Sequence, residues 1–152
     1  MKREDILKEL GISLPKCSGI SQEVAAYKVA GKLIYTSGLV PRNPDGTFVA
    51  GKLGREYTSA QGQAFVKDVA VQLLSALQDA AGGLDNIRQI VMLQCFVNAD
   101  PGYSEHSLLF NPASELFTSV FGEDGRHARY ALGMSSLPMN VPVEISVIAE
   151  MN

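Results

Sequence analysis

The sequence offers little material for a metal centre, a redox pair or a disulfide framework. Its 152 residues include two cysteines, two histidines and no tryptophan. Cys17 and Cys95 are far apart and have no metal-binding or redox spacing, and Cys95 lies in an apolar run that favours a buried position. The motifs HExxH, GxGxxG, CxxC and GxxxxGKS/T are missing as well, which argues against zinc, dinucleotide and P-loop enzymes. We therefore expect no metal site.

Neither charge nor hydropathy indicates a nucleic acid or a membrane as the partner. The formal net charge is -3, whereas a protein that binds nucleic acid through a general field carries positive charge. No segment approaches the ~20 apolar residues that span a bilayer, and the N-terminal sequence MKREDILKELG has no apolar run like that of a signal peptide. We expect a cytoplasmic protein.

What the sequence does contain is a series of apolar segments that fit one domain, residues 1–152, in which residues 1–16 form an N-terminal helical extension. Periodicity, caps and turn formers predict, in chain order, a helix at 3–10, strands at 23–29 and 32–37, a helix at 58–81, a strand at 87–98, a helix at 111–120, and strands at 128–134 and 141–151. Two long helices and a mixed or mostly antiparallel sheet predict an α+β fold with the helices on one face.

The starts of the two long helices have recognisable signals. Thr58 and Gln61 form a capping-box pattern at the start of the first helix. For the second helix, Asn111 is the expected N-cap and Pro112 the first helical residue.

The second face of the predicted sheet carries too many apolar side chains for open solvent. Ile148 in the last strand, together with Ile90, Met92 and Phe96 in the long central strand, is assigned to this face by alternation. A homo-oligomer that packs sheet against sheet would cover it.

Arg129 is the residue best suited to chemistry. Ala131 and Gly133 follow on its own face of the strand, so its guanidinium has open space in which to bind a carboxylate or phosphate. Glu144 is expected on a neighbouring strand, after a connection at 137–138. If this connection closes a hairpin, Arg129 and Glu144 approach each other, and a salt bridge within the sheet becomes the alternative to an anion site.

Several short motifs occur in a fixed order between about residue 20 and residue 151. They are Tyr35-Thr36-Ser37-Gly38 followed by Pro41, Asn111 with Glu115, Arg129, Leu137-Pro138, and Val143-Glu144-Ile145. Taken together, they resemble the Rid (reactive intermediate deaminase) family, also known as the YjgF-like or L-PSP endoribonuclease-like family. The match is to a longer branch with an added N-terminal helix and a loop at 125–129.

The resemblance implies a chorismate-mutase-like α+β fold and a homotrimer whose clefts lie between subunits. It implies hydrolysis of reactive enamines and imines of 2-imino acids to 2-keto acids and ammonia, without a metal or an organic cofactor. It also implies that Arg129 binds the substrate carboxylate and that Glu144 positions or activates the attacking water. By the same resemblance, Ser37, Gly38 and Asn111 line the cleft.

The chain departs from the family pattern around the cleft. Archetypal members have a Pro-Tyr pair before the first strand where this chain has Glu23 and Val24, so Tyr27 is the candidate to supply the tyrosine. Ala131 stands where a cysteine is common, and it is expected to line the cleft. His127 replaces a proline and could add positive charge at the mouth of the site.

Three functions follow, in order of preference. The first is a hydrolase similar to 2-iminobutanoate/2-iminopropanoate deaminases. The second is a trimeric protein that binds a small carboxylate metabolite without turnover, which the changed tyrosine position favours. The third is the ribonuclease activity in the family's name, which the acidic charge balance argues against.

Overall fold

The helices and strands form in the order that the sequence predicts. The computed structural model describes residues 1–152. Its elements are α1 (Arg3–Glu9), β1 (Tyr27–Ala30), β2 (Leu33–Thr36), α2 (Ser59–Ala81), β3 (Ile87–Asn98), α3 (His106–Phe121), β4 (Ala128–Met134) and β5 (Val143–Met151). None of the helices combines the length and the apolar composition needed to cross a membrane.

The five strands form one mixed sheet in the order β1-β2-β5-β3-β4. Neighbouring strands are antiparallel except for β3 and β4, which are parallel. The predicted hairpin between β4 and β5 is therefore wrong, because β3 lies between them. The physical reason is that α3 returns the chain to the same end of the sheet, so that β4 pairs with β3 through a βαβ crossover.

One hydrophobic core lies between the sheet and the two long helices. Leu73 and Leu77 of α2 and Phe117 of α3 are fully buried against the sheet side chains Leu93 and Ile145. The strand alternation on β5 places every second residue from Val143 to Ala149 in this core. The predicted fold class, an α+β domain with two long helices on one face, is confirmed.

The capping-box prediction for α2 is confirmed, whereas the predicted start of α3 is wrong. Gln61 donates its amide to the Thr58 side chain, and its own side chain accepts from the Thr58 amide. In contrast, α3 begins at His106, so that Asn111 and Pro112 lie inside the helix.

A side chain of α2 explains why α3 tolerates this proline. Pro112 cannot donate the helical hydrogen bond to the carbonyl oxygen of Leu108. Gln63 of α2 donates to that oxygen instead, at 2.8 Å. The unused acceptor is therefore satisfied by a contact distant in sequence, which a cap pattern cannot reveal.

Three details of the sheet also differ from prediction. Residues 23–26 precede β1 because the Val24 carbonyl accepts from the amides of Ile20 and Ser21 in a local turn. Strand β5 begins at Val143, after a tight turn at Pro138–Asn140. Ile90 lies in the core, because the register between β3 and β5 shifts on both sides of it.

The face of the sheet that is turned away from α2 and α3, its open face, is apolar. This agrees with the prediction for Met92, Phe96 and Ile148, although not for Ile90. Met92, Phe96 and Ile148 lie on the open face and are half-buried, while Tyr35 is 43% and Leu132 is 46% exposed. Neither helix packs against this face. Its apolar side chains are available to a partner.

Candidate active site

Arg129 lies on β4, the edge strand, and its side chain faces α3. Its Nη1 donates to the Asn111 side-chain oxygen at 3.2 Å and to the Ser114 hydroxyl at 3.1 Å. Residues 111 and 114 are three apart, so one face of α3 presents both acceptors. Nε and Nη2 make no hydrogen bond within the chain, and no carboxylate pairs with Arg129. One edge of the guanidinium is fixed and the other is free.

His127 extends this group of polar side chains. Its Nε2 lies 2.9 Å from the Ser114 hydroxyl, and its Nδ1 lies 2.6 Å from the Gly125 carbonyl oxygen. Burial lowers the pKa of His127, and the positive charge of Arg129 acts in the same direction. The lowered pKa favours the neutral ring, so it does not support the expectation that His127 adds positive charge. We call Asn111, Ser114, His127 and Arg129 the arginine cluster.

The residues after Arg129 on its face of β4 are small, and large groups fill the space beyond them. Ala131 is half-buried against the core, beside the buried thiol of Cys95, whose pKa burial raises to about 12. A Cβ at Gly133 would lie 2.6 Å from the His106 Nε2. The side of the arginine cluster toward Gly133 is thus closed by His106.

Glu144 lies elsewhere, at the start of β5, beside the segment that follows β2. A Cβ at Gly38 would lie 2.7 Å from the Glu144 Oε2, so only a glycine leaves the carboxyl group its present position. Both residues line an open cleft of about 820 Å³, a volume typical of small-molecule sites. Lys16, Arg42, Gln72, Pro138 and Met139 also line it. We call Gly38, Glu144 and this lining the glutamate cleft.

Burial raises the pKa of Glu144 above its ordinary value. Arg129 and Glu144 form no ion pair, so the alternative of a salt bridge within the sheet is wrong for the single chain. The two side chains are apart because β3 separates their strands. Arg129 pairs with Leu93 and Glu144 with Phe96, so about 10 Å separates them along the strands and about 10 Å across them. Strand alternation also places them on opposite faces of the sheet.

The other two predicted site residues have contacts of their own. The Ser37 hydroxyl donates to the Ala25 carbonyl at 2.7 Å, and the Ser37 amide donates to Ala26. Ser37 thereby fixes the path of the chain into Gly38. The Tyr27 hydroxyl donates to Asp79 of α2 at 2.7 Å, which raises the pKa of Tyr27. Tyr27 is thus in neither the arginine cluster nor the glutamate cleft.

The structure thus gathers the predicted residues in two places. Arg129, Asn111 and Ala131 belong to one, Gly38 and Glu144 to the other. Ser114 was missed by sequence reasoning, because its spacing from Asn111 is meaningful only when both lie inside the helix. No three His, Cys, Asp or Glu side chains come together in a position to hold a metal ion.

A family model described as "YjgF/chorismate mutase-like, putative endoribonuclease" matches residues 4–151. The chain belongs to this family. It is 40% identical over 147 residues to Protein TCP17 of Trypanosoma cruzi, covering 96% of this chain and 92% of that protein. Membership confirms the family resemblance carried by the motifs around Ser37, Arg129 and Glu144.

Two solved structures resemble the chain over nearly its whole length. A protein of unknown function from Agrobacterium tumefaciens is 38% identical, with a TM-score of 0.89, covering 99% of this chain and 93% of that one. A "putative endoribonuclease" from Shewanella oneidensis is 28% identical, with a TM-score of 0.93, covering 99% of this chain and 100% of that one. These relatives share the N-terminal extension as well as the sheet and the long helices.

Proposed function

We propose that the protein hydrolyses enamines and imines of small 2-imino acids, releasing 2-keto acids and ammonia, in clefts shared between the subunits of a homotrimer. The observation that carries the proposal is the free Nε/Nη2 edge of Arg129. Two acceptors on α3 fix the other edge, and a guanidinium edge with two parallel donors matches a carboxylate in bidentate geometry. All 2-imino acids have such a carboxylate next to the reacting carbon.

The separation of the arginine cluster from the glutamate cleft supports a site shared between subunits. Each contains one of the two groups that the chemistry needs, and neither Arg129 nor Glu144 forms an ion pair within its own chain. The apolar open face, which includes Tyr35 and Leu132, supplies a surface on which copies can pack. Packing that brings the Glu144 of one subunit to the Arg129 of its neighbour would complete the site.

The chemistry requires an oriented imine, a water molecule and a group that moves protons. Arg129 binds the carboxylate and so fixes the imine carbon, and such fixed positioning can supply several kcal/mol of the barrier. Glu144 accepts a proton from the water as its oxygen attacks that carbon. Glu144 returns this proton to the imine nitrogen, which gives the carbinolamine. The carbinolamine hydroxyl then loses its proton to Glu144, which passes it to the nitrogen as the C–N bond breaks, and the keto acid and ammonia leave. No electron transfer occurs, so the scheme needs no redox cofactor.

The state of Glu144 fits this role. Burial raises its pKa, which brings the carboxyl group closer to the pH at which it can both accept and return a proton. The proposal places the protein in the cytoplasm, where free thiols such as those of Cys17 and Cys95 stay reduced.

The direct test is the release of ammonia and keto acid from 2-iminobutanoate or 2-iminopropanoate, generated in the assay by an amino acid oxidase. We expect hydrolysis well above the uncatalysed rate, and its loss in Arg129→Ala. Thr118→Ala, which removes a hydroxyl one turn along α3 from Ser114, is the matched control. A wild-type rate equal to the uncatalysed rate would exclude the reaction.

A binding protein without turnover is the second candidate, and the tyrosine position favours it. Val24 is 46% exposed where archetypal members have tyrosine, and Tyr27 is bonded to Asp79 instead. A panel of keto acids in thermal-shift assays distinguishes the two, because a ligand that binds only the folded state raises the midpoint. A shift that needs Arg129, without imine hydrolysis, would favour binding alone. RNA cleavage that needs Arg129 would favour the ribonuclease activity instead.

A further inference from the structure

We propose that Ser114 and His127 are positioning residues that orient the Arg129 guanidinium, so that its Nε/Nη2 edge is presented to the ligand carboxylate. The identity of this ligand rests on the proposed function, whereas the geometry does not. Ser114 lies in the third turn of α3, and His127 directly precedes β4. Together they join the helix, the preceding turn and the edge strand through one chain of hydrogen bonds.

The Gly125 carbonyl and the Arg129 guanidinium, at the two ends of this series of hydrogen bonds, determine the direction of the bonds that they make. The Gly125 carbonyl can only accept, so the His127 Nδ1 carries a proton and donates to it. The guanidinium can only donate, so the Ser114 hydroxyl oxygen accepts from Arg129. The Ser114 hydroxyl hydrogen is then available for the unprotonated Nε2 of His127, 2.9 Å away. In this pattern every polar hydrogen has one acceptor, and His127 is neutral with its proton on Nδ1.

Packing keeps the imidazole ring in this orientation. The His127 ring lies edge-to-face on Phe117 of α3, with 6.2 Å between ring centroids. Gly125 approaches the backbone of α3 at Phe117 so closely that a Cβ there would collide with it, and this approach brings the Gly125 carbonyl to the His127 Nδ1. The ring therefore acts on Ser114 from a fixed position.

These hydrogen bonds fix the orientation of the Arg129 guanidinium. Asn111 alone would leave the guanidinium one acceptor about which it could pivot, whereas Asn111 and Ser114 together fix Nη1 from two sides. The planar guanidinium then has one defined orientation, and less conformational freedom remains to be lost when a carboxylate binds. This assigns ligand positioning to two residues that do not touch the ligand.

The hydrogen-bond pattern is tested by the ¹⁵N resonances of the imidazole nitrogens. The chain has two histidines, so His127→Gln identifies the signals of His127. We expect a neutral ring at pH 7.5 with the proton on Nδ1, and a changed Nε2 resonance in Ser114→Ala but not in Thr118→Ala. A His127 ring protonated on Nε2, or an Nε2 resonance insensitive to Ser114→Ala, would overturn the inference.

The positioning role is tested by calorimetric binding of 2-oxobutanoate. Ser114→Ala and His127→Leu should weaken binding about tenfold, while Ser114→Thr, which retains the hydroxyl, and Thr118→Ala should stay within about twofold of wild type. His127→Gln, which retains an acceptor, should fall between them. Where imine hydrolysis is detected, the same variants should raise KM and leave kcat nearly unchanged.

These outcomes separate the inference from the proposed function. If the wild type binds 2-oxobutanoate through Arg129 but hydrolyses no imine, the proposed function fails and the binding constants still decide the inference. If Ser114→Ala and Thr118→Ala bind equally well at equal thermal stability, the positioning role is wrong. If the wild type binds no 2-oxobutanoate, the inference is wrong together with the arginine site.

Discussion

The arginine cluster and the glutamate cleft are built in opposite ways. The arginine cluster lies on regular structure, because β4 and α3 supply three of its four side chains, and it is joined by hydrogen bonds. The glutamate cleft lies where β5 begins, and loop residues such as Gly38, Pro138 and Met139 form its wall. The side chains of the arginine cluster are held in one geometry by hydrogen bonds. The glutamate cleft instead encloses a space of about 820 Å³. Under the proposed function, the arginine cluster would orient the ligand, and the glutamate cleft would provide space for substrate and water.

The two places are also electrostatically complementary. Arg129 is a cation without a carboxylate partner, and Glu144 is a half-buried carboxyl group that makes no ion pair. An unpaired charge near an apolar surface is costly unless something binds it. Under the proposed function, the substrate carboxylate binds Arg129, and a neighbouring subunit packs against Glu144.

The largest expected effect comes from removing the two charged groups separately. Glu144→Gln should reduce kcat about 10²- to 10⁴-fold, because it removes the proton acceptor, and should leave 2-oxobutanoate binding nearly unchanged. Arg129→Ala should lower kcat/KM about a hundredfold and also abolish measurable binding. Steady-state kinetics and calorimetry on both variants check this division. If both variants lost binding equally, the assignment of binding to one place and chemistry to the other would be wrong.

Mixed assemblies test whether the two places meet across subunits. Arg129→Ala and Glu144→Gln subunits, each inactive alone, are unfolded together and refolded in equal amounts. In a cyclic homotrimer about a quarter of the interfaces would then combine an intact Arg129 with an intact Glu144, so about a quarter of the activity should return. Mixing without unfolding is the control, since subunits then do not exchange. No recovery after refolding would show that Arg129 and Glu144 do not act together across a subunit interface.

Local sequence signals predicted the helix cap and the strands of the fold well. The Thr58 cap, the bounds of β3 and β4, and the two-sided pattern of β5 follow from nearest-neighbour rules, and the structure confirms them. The family motifs likewise predicted the fold class. What the sequence could not reveal depends on contacts distant in the chain. The hydrogen bond from Gln63 that allows Pro112 within α3, and the insertion of β3 between β4 and β5, are of this kind.

These two errors had a direct consequence for the site. A hairpin of β4 and β5 would have placed Arg129 beside Glu144, and a helix that starts at Asn111 would have hidden the relation of Asn111 to Ser114. The topology reversed both conclusions. The motifs therefore predicted which side chains are candidates for a site, but not which of them lie together in one chain.

The wall of the glutamate cleft depends on a fully buried asparagine. Asn98 accepts from the Lys52 ammonium group at 2.6 Å and donates to the Asn140 side chain at 2.9 Å, beside the left-handed residues Met139 and Asn140. Asn98→Ala removes both hydrogen bonds, although Lys52 keeps its bond to the Ser135 carbonyl, and it should lower the free energy of unfolding by about 2 kcal/mol. Urea denaturation measures this, with the exposed Asn152→Ala as control. A change as small as that of the control would show that water replaces the lost contacts.

Gly38→Ala should affect the glutamate cleft alone. The new Cβ would lie 2.7 Å from the Glu144 Oε2, so the carboxyl group must move. We expect kcat to fall about tenfold, because a displaced base is poorly aligned with the water, and 2-oxobutanoate binding to remain. Gly102→Ala, where a Cβ meets nothing within 4 Å, is the matched control. If Gly38→Ala retained full kcat, the position of Glu144 would not matter for the reaction.

The smallest effect concerns the arginine cluster and appears as a pH dependence of stability. Burial lowers the pKa of His127 below its ordinary value of 6.5, and the Arg129 charge adds to this, although the hydrogen bond to the Gly125 carbonyl opposes it. Below pH 6.5 the unfolded chain takes up a proton at His127 before the folded chain does. Stability should therefore fall as the pH drops from 6.5 through the lowered pKa, and this contribution should be absent above 6.5.

The measurement is urea denaturation of wild type and His127→Gln between pH 8 and pH 5. The variant should lose less stability than the wild type over the acidic part of this range and the same amount above pH 7. Gly102→Ala, which changes no titratable group, should follow the wild type throughout. Added 2-oxobutanoate sharpens the result, because a carboxylate on Arg129 offsets the charge that disfavours protonation of His127, so the difference between wild type and variant should shrink. Parallel curves for wild type and His127→Gln would show that the ring is protonated equally easily in both states, and the neutral hydrogen-bond chain through Ser114 would then lose its basis.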